Sequence, residues 1–263
     1  MVVAEFPARL RHDFRGVSLD DKLALIAGYN RLILEADPAI VSSLVNYSET
    51  FLTTHFAAMD GTYLREEHPG AGVAYCATAR RGDLVQDAFW WDETHEDYHA
   101  LVGLEDRVRE VALRAAALLH APTVPGGNYP VVLDPHLGGL FIHEAFGHFS
   151  EADSFYENPS LQKELPLGRR MGAAGLNVVD DGSRPGGPST ARYDHEGMPT
   201  GRTHLLRDGI LAGRLHSRET AAKMGERPTG NARAGQRHHA PLVRMTNTFV
   251  DNGNLSFPDL LKG

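Results

Sequence analysis

Apolar residues at Leu19, Leu23, Ile26, Ile33 and Leu34 recur at helical spacing, behind a Ser18/Asp21 pair that resembles a capping box. The pattern stops at Asp37-Pro38, so it predicts a first amphipathic helix. From Ala39 to about Trp91 the text changes to short stretches rich in Val, Tyr, Thr and Phe. Asp60-Gly61, Pro69-Gly70 and Arg81-Gly82-Asp83 separate them, which predicts an antiparallel meander. Leu101, Leu104, Val108, Val111, Ala115 and Leu118 then mark a second helix, ending near His120.

The segment APTVPGGNYP is the breaker-rich stretch between two well-patterned regions, and the domain boundary is placed there. Beyond it come an expected short strand over 131–133, a Gly-Gly turn and the apolar run LFIHEAFGHF, read as one helix. Turn signals follow at Asp181-Gly182, Glu196-Gly197 and Asp208-Gly209. The last, flanked by HLLR and ILAGRL, predicts a β-hairpin. The pattern therefore predicts an α+β fold, with a helix-meander-helix domain over 1–121 and a mostly β domain over 122–263 that contains the one apolar helix.

Composition narrows the class. With 263 residues, 42% hydrophobic and 23% charged, the chain is long enough for two domains, and its make-up is that of globular proteins. A formal net charge of -8 offers no footprint for nucleic acid or an anionic membrane surface. Cys76 is the single cysteine, read as a small buried residue and not a ligand; a disulfide framework is excluded. No apolar run approaches the roughly 20 residues of a membrane helix, and the first residues lack a signal-peptide core. A cytoplasmic location, with neither a membrane nor nucleic acid as partner, is the expectation.

Fourteen histidines raise the prior for metal chemistry. His143, Glu144 and His148 form H-E-x-x-x-H, one residue longer than the H-E-x-x-H of familiar zinc peptidases. On an ideal α-helix positions 143 and 148 lie roughly 140° apart around the axis, so their imidazoles would splay. A wider π-type turn brings them to one side, and Gly147 sits where that distortion is needed. In that geometry His143 and His148 supply two nitrogens to a zinc ion, and Glu144 faces the activated water as general acid/base. By chance alone the pattern arises in roughly a few per cent of chains this rich in histidine.

The motifs PVVL, GGLFIHEAFGHFSEAD, VVDDGS, DHEGMPTG, LLRDGILAGRL, PTGNARA and RMTNTF follow in this order from residue 130 to residue 249. Together they resemble the TldD/PmbA family of metalloproteases, closely over 115–263 and less sharply before. The resemblance implies a TldD-like catalytic subunit that hydrolyses peptides or unfolded segments. It also implies pairing, homo- or hetero-oligomeric, with another TldD/PmbA-family subunit. His143 and His148 would be the metal ligands, Glu144 the catalytic acid/base and Zn2+ the cofactor. The family's third ligand, a cysteine from far downstream, has no counterpart here, so the chain resembles a fragment or a shortened relative. The alternative function is a non-catalytic family chain that binds peptide or partner without hydrolysis.

Several residues keep two readings. Glu151 and Asp153 follow the motif closely enough to orient a ligand imidazole, or are solvated loop acids. His238-His239 could approach a metal or form a polar surface pair. Asn231 and Arg233 could bind substrate backbone or carboxylate, or belong to a structural turn. Trp90-Trp91 reads as core or interface.

Overall fold

The computed structural model describes residues 1–236 and 238–262. Two compact units divide the chain: residues 5–54 with 65–127, and residues 1–4 and 55–64 with 128–263.

The first unit holds helix α1 (Leu19–Ala36), β4 (Leu84–Thr94), helix α2 (Glu105–Leu118) and most of β2 (Ile40–Ala57) and β3 (Tyr63–Arg81), while the short strand β1 (Val3–Phe6) is divided between the units after Ala4. β3 is central, hydrogen-bonded to β1, β2 and β4, so the expected meander is present. Pro69-Gly70 does not break it. Pairing of β3 with β4 begins at Ala71, so Pro69 lies where β4 asks for no backbone donor. Arg81-Gly82-Asp83 does turn the chain, with Gly82 at φ 61.

Ser18 caps α1 as expected, its hydroxyl accepting from the Asp21 amide at 3.1 Å. The buried face of that helix differs from the predicted stripe. Tyr29 and Ile33 enter the core, while Leu19, Leu23 and Leu34 stay exposed. Lys22 lies inward as well, its ammonium held 2.7 Å from Glu49 on β2. The Tyr29 hydroxyl decides the orientation. It donates to the Leu101 carbonyl at 2.9 Å and accepts from the Leu104 amide at 3.2 Å, joining α1 to the turn ahead of α2. Leu101 closes a 3-10 turn over Tyr98–Leu101, and α2 begins only at Glu105, later than the apolar pattern suggested. Val108, Val111, Ala112 and Ala115 are its buried face. Cys76 is half-buried on β3 opposite Phe89, and burial pushes its thiol pKa up. Of the two tryptophans, Trp90 packs against this core and Trp91 is exposed.

The second unit contains no strand at 131–133, where the chain is irregular, and its Gly-Gly pair is helical. Asp134 explains both corrections. Its carboxylate accepts from the Leu137 amide at 2.8 Å and Pro135 takes the first turn, so helix α3 (Pro135–Ile142) begins before the glycines. A short helix α4 (Pro159–Glu164) follows, then β5 (Val178–Asp181), β6 (Arg202–Arg207) and β7 (Ile210–Leu211). Helix α5 (Arg218–Met224), strands β8 (Ala232–Arg233), β9 (Leu242–Val243) and β10 (Thr248–Val250), and helix α6 (Phe257–Leu260) complete it. The sheet order is β10-β5-β6-β7, with β8 and β9 as a separate pair. The expected hairpin is β6-β7: Arg207 pairs with Ile210, and Asp208 and Gly209 have φ 51 and 71, as a type I′ turn requires. The mixture of helix and sheet is the α+β class that the pattern predicted.

Candidate metal centre

Five residues after α3, His143–Gly147, form a π turn, closed by the His148 amide donating to the His143 carbonyl. The H-E-x-x-x-H spacing requires this distortion, and packing holds it. Ile142 and Phe146 are buried in a core with Leu205, Leu206, Leu215, Val243 and Met245. The buried Ser150 hydroxyl donates to the Phe146 carbonyl at 2.9 Å, satisfying an acceptor that the widened turn leaves over. The two imidazoles meet with ring centroids 4.8 Å apart and planes at 86°. Ligating atoms of His143, Glu144 and His148 all lie within 4.8 Å of one another; His143 is half-buried, Glu144 and His148 exposed.

Gly147 has a different reason from the one its position suggested. Its backbone is ordinary right-handed helix, φ -60 and ψ -55, so its conformational freedom goes unused. What matters is the missing side chain: Met245 fills the space that a β-carbon would take.

Glu151 is buried, and it lies against the cluster. Its Oε2 is 3.5 Å from His148 Nδ1 and 3.4 Å from an Arg244 guanidinium nitrogen. The Met245 amide approaches Oε1 at 3.4 Å. A carboxylate set between imidazole and guanidinium is placed to fix the ring's orientation, the role metal-binding histidines commonly give to such a neighbour. Asp153 is not part of this arrangement: it accepts from the Val243 amide at 2.7 Å and secures β9. Asn231 is structural too, donating to the buried Asp180 carboxylate at 2.8 Å and to the Arg244 carbonyl at 3.0 Å. Arg233, His238 and His239 are exposed, and among the described residues neither histidine joins the cluster around His143.

Arg244, within the motif RMTNTF, is a contact that sequence reasoning does not find. Its contact with Glu151 spans 93 residues, so no local spacing announces it. In the sequence the acid and the base lie in two separate motifs, GGLFIHEAFGHFSEAD and RMTNTF. The donor set, two imidazoles and a carboxylate on one turn, fits zinc as two nitrogen ligands with an adjacent base.

A histidine pair with an intervening glutamate on a π turn, set against a small antiparallel sheet, is the kind of site that metallopeptidases build. The chain belongs to the PmbA/TldD metallopeptidase family: residues 12–119 match its central domain and residues 126–263 its C-terminal domain. A metalloprotease of Synechocystis sp. is 44% identical over 95% of this chain and 54% of its own length. A zinc metalloprotease TldD homolog of Saccharolobus solfataricus is 29% identical over 86% of this chain and 51% of its own. A Thermotoga maritima protein named for a suspected modulation of a DNA gyrase superposes with a TM-score of 0.83 at 25% identity, covering 98% of this chain and 58% of that one. TldE from Thermococcus kodakarensis shares the fold, with a TM-score of 0.69 at 19% identity over 99% of this chain and 60% of its own. The chain spans about half the length of the curated relatives it matches. No helix among the described residues is long and apolar enough to cross a membrane.

Proposed function

We propose that the chain carries the two-histidine part of a zinc metallopeptidase centre, with His143 and His148 as ligands and Glu144 as general acid/base. The observation that carries this reading is the π turn, which brings the two imidazoles to one side of the backbone. Bound zinc would supply a Lewis acid that polarises a peptide carbonyl and lowers the pKa of a nearby water to about 7. Glu144, exposed on the same turn, takes the proton of the attacking water and returns it to the leaving amine nitrogen. Glu151 positions His148. Peptides or unfolded segments are the substrate class, and pairing with a second TldD/PmbA-family subunit is the assembly.

A second reading, a family chain that binds peptide or partner without hydrolysis, is favoured by one observation. Among the described residues, no histidine, cysteine, aspartate or other glutamate joins His143, Glu144 and His148 in one cluster, whereas catalytic zinc sites normally have three protein ligands. Glu144→Gln in a full-length relative carrying this motif separates the two. The variant should keep zinc and fold while peptide hydrolysis drops about 10²–10⁴-fold. His143→Ala and His148→Ala should lose both metal and activity. Near-normal turnover of Glu144→Gln would remove the hydrolytic mechanism.

A further inference from the structure

His12, Asp97 and His99 lie in the first unit, outside everything assigned above, and their ligating atoms are within 4.8 Å of one another. Backbone pairing sets two of them side by side. The segment ahead of α1 runs along the segment after β4, with the Arg11 amide donating to the Glu96 carbonyl at 2.7 Å and the Tyr98 amide to the His12 carbonyl at 3.0 Å. His12 and Asp97 are bridge partners in that pairing, and Asp97 Oδ1 lies 2.9 Å from His12 Nδ1.

The third member is placed by a cap. Asp97 is the N-cap of the 3-10 turn Tyr98–Leu101, and its carboxylate accepts from the His99 amide at 2.9 Å. The turn returns the His99 ring onto that of His12, with centroids 3.8 Å apart and planes at 25°. Three donors from segments 85 residues apart are thus gathered by main-chain hydrogen bonds, not by chance contact of long side chains. Two imidazole nitrogens with one carboxylate are the donor set of zinc and its transition-metal neighbours, whereas calcium and magnesium take oxygen donors. Both histidines are exposed, so the ion is reachable from solvent and water completes its coordination.

We propose that His12, Asp97 and His99 form a second divalent transition-metal site, separate from the H-E-x-x-x-H turn, which clamps the segment before α1 to the turn before α2. Metal on this triad ties together two stretches that are otherwise joined by a few backbone bonds, and it stabilises the folded chain according to its occupancy.

Zinc titration by calorimetry, on the full chain carrying His143→Ala and His148→Ala, tests this without interference from the first site. One equivalent of zinc should bind, and it should raise the melting temperature. Adding His99→Gln or Asp97→Asn should weaken that binding at least about tenfold, the lower bound typical of losing even a supporting partner of a metal ligand. Asparagine caps a turn as well as aspartate does, so the Asp97→Asn chain should fold. His12→Gln, at an exposed ring, serves as the check if His99→Gln alters the circular dichroism spectrum. No zinc binding in the double-alanine background, or an equivalent that survives these substitutions, would overturn the proposal and assign any bound zinc to other surface histidines.

Discussion

The Sδ atom of Met245 lies 2.1 Å from the position that a β-carbon on Gly147 would occupy. Met245 is itself buried, so it has little room to yield. Gly147→Ala should therefore destabilise the chain by about 1–3 kcal/mol, the usual cost of overpacking, and shift the turn that carries His148. Met245→Ala made on top should recover part of the loss, so the double substitution costs less than the two single costs added together. Chemical denaturation of the four proteins reads this directly; strict additivity would mean that the two residues do not compete for space.

Glu151 touches His148 but lies outside the proposed ligand set, so its effect belongs to metal affinity. Glu151→Gln keeps an acceptor for the Met245 amide while removing the charge beside the imidazole. Zinc binding at the first site should weaken about 10–100-fold, measured by competition with a chromogenic chelator. A folded variant with unchanged affinity would mean that Glu151 serves Arg244 alone.

Acid sensitivity should come in part from Glu226. Its carboxylate meets His216 Nε2 at 3.2 Å and an Arg214 guanidinium nitrogen at 2.7 Å, beside the capping box of α5. The hydrogen bond from His216 leads in holding its pKa below the ordinary value, against an opposing push from burial, and the charges of His216 and Arg214 add to the lowering. A depressed carboxylate pKa contributes stability that is fully present above the unfolded value, about 4.3, and lost as pH falls through the folded one. Glu226→Gln should cost about 1.5–3 kcal/mol at neutral pH, typical of a charged hydrogen bond. The gap between wild type and variant in urea midpoints should narrow below about pH 4. A gap that stays constant to pH 3 would trace the cost to shape and not charge.

Gly82 and Gly209 both have positive φ, 61 and 71, but their surroundings differ. A β-carbon at Gly82 meets nothing within 4 Å, whereas at Gly209 it would stand 2.3 Å from the Ala173 carbonyl oxygen and 2.4 Å from that of Gly172. Gly82→Ala should cost only the left-handed penalty of about 1–2 kcal/mol. Gly209→Ala should cost more, because backbone must move. Thermal melts of the two variants give the ranking, and equal losses would refute the close approach.

Local chemistry made much of this chain legible from its sequence. The Ser18 cap, the Asp208-Gly209 hairpin and the need for a π turn at His143 each depend on residues within five positions of one another, and each is present. The ordered motifs from PVVL to RMTNTF point to the family for a related reason, since each is a short run of residues whose spacing is local. Which face of α1 is buried was not legible, because Leu19 and Leu23 match helical periodicity as well as Tyr29 and Ile33 do. Only packing against the sheet, and the Tyr29 hydroxyl reaching Leu101, chose between them. Glu151 beside Arg244 and His12 beside Asp97 lie 93 and 85 residues apart. Such pairings are decided by the closure of long loops and the register of backbone pairing, which no window along the sequence contains.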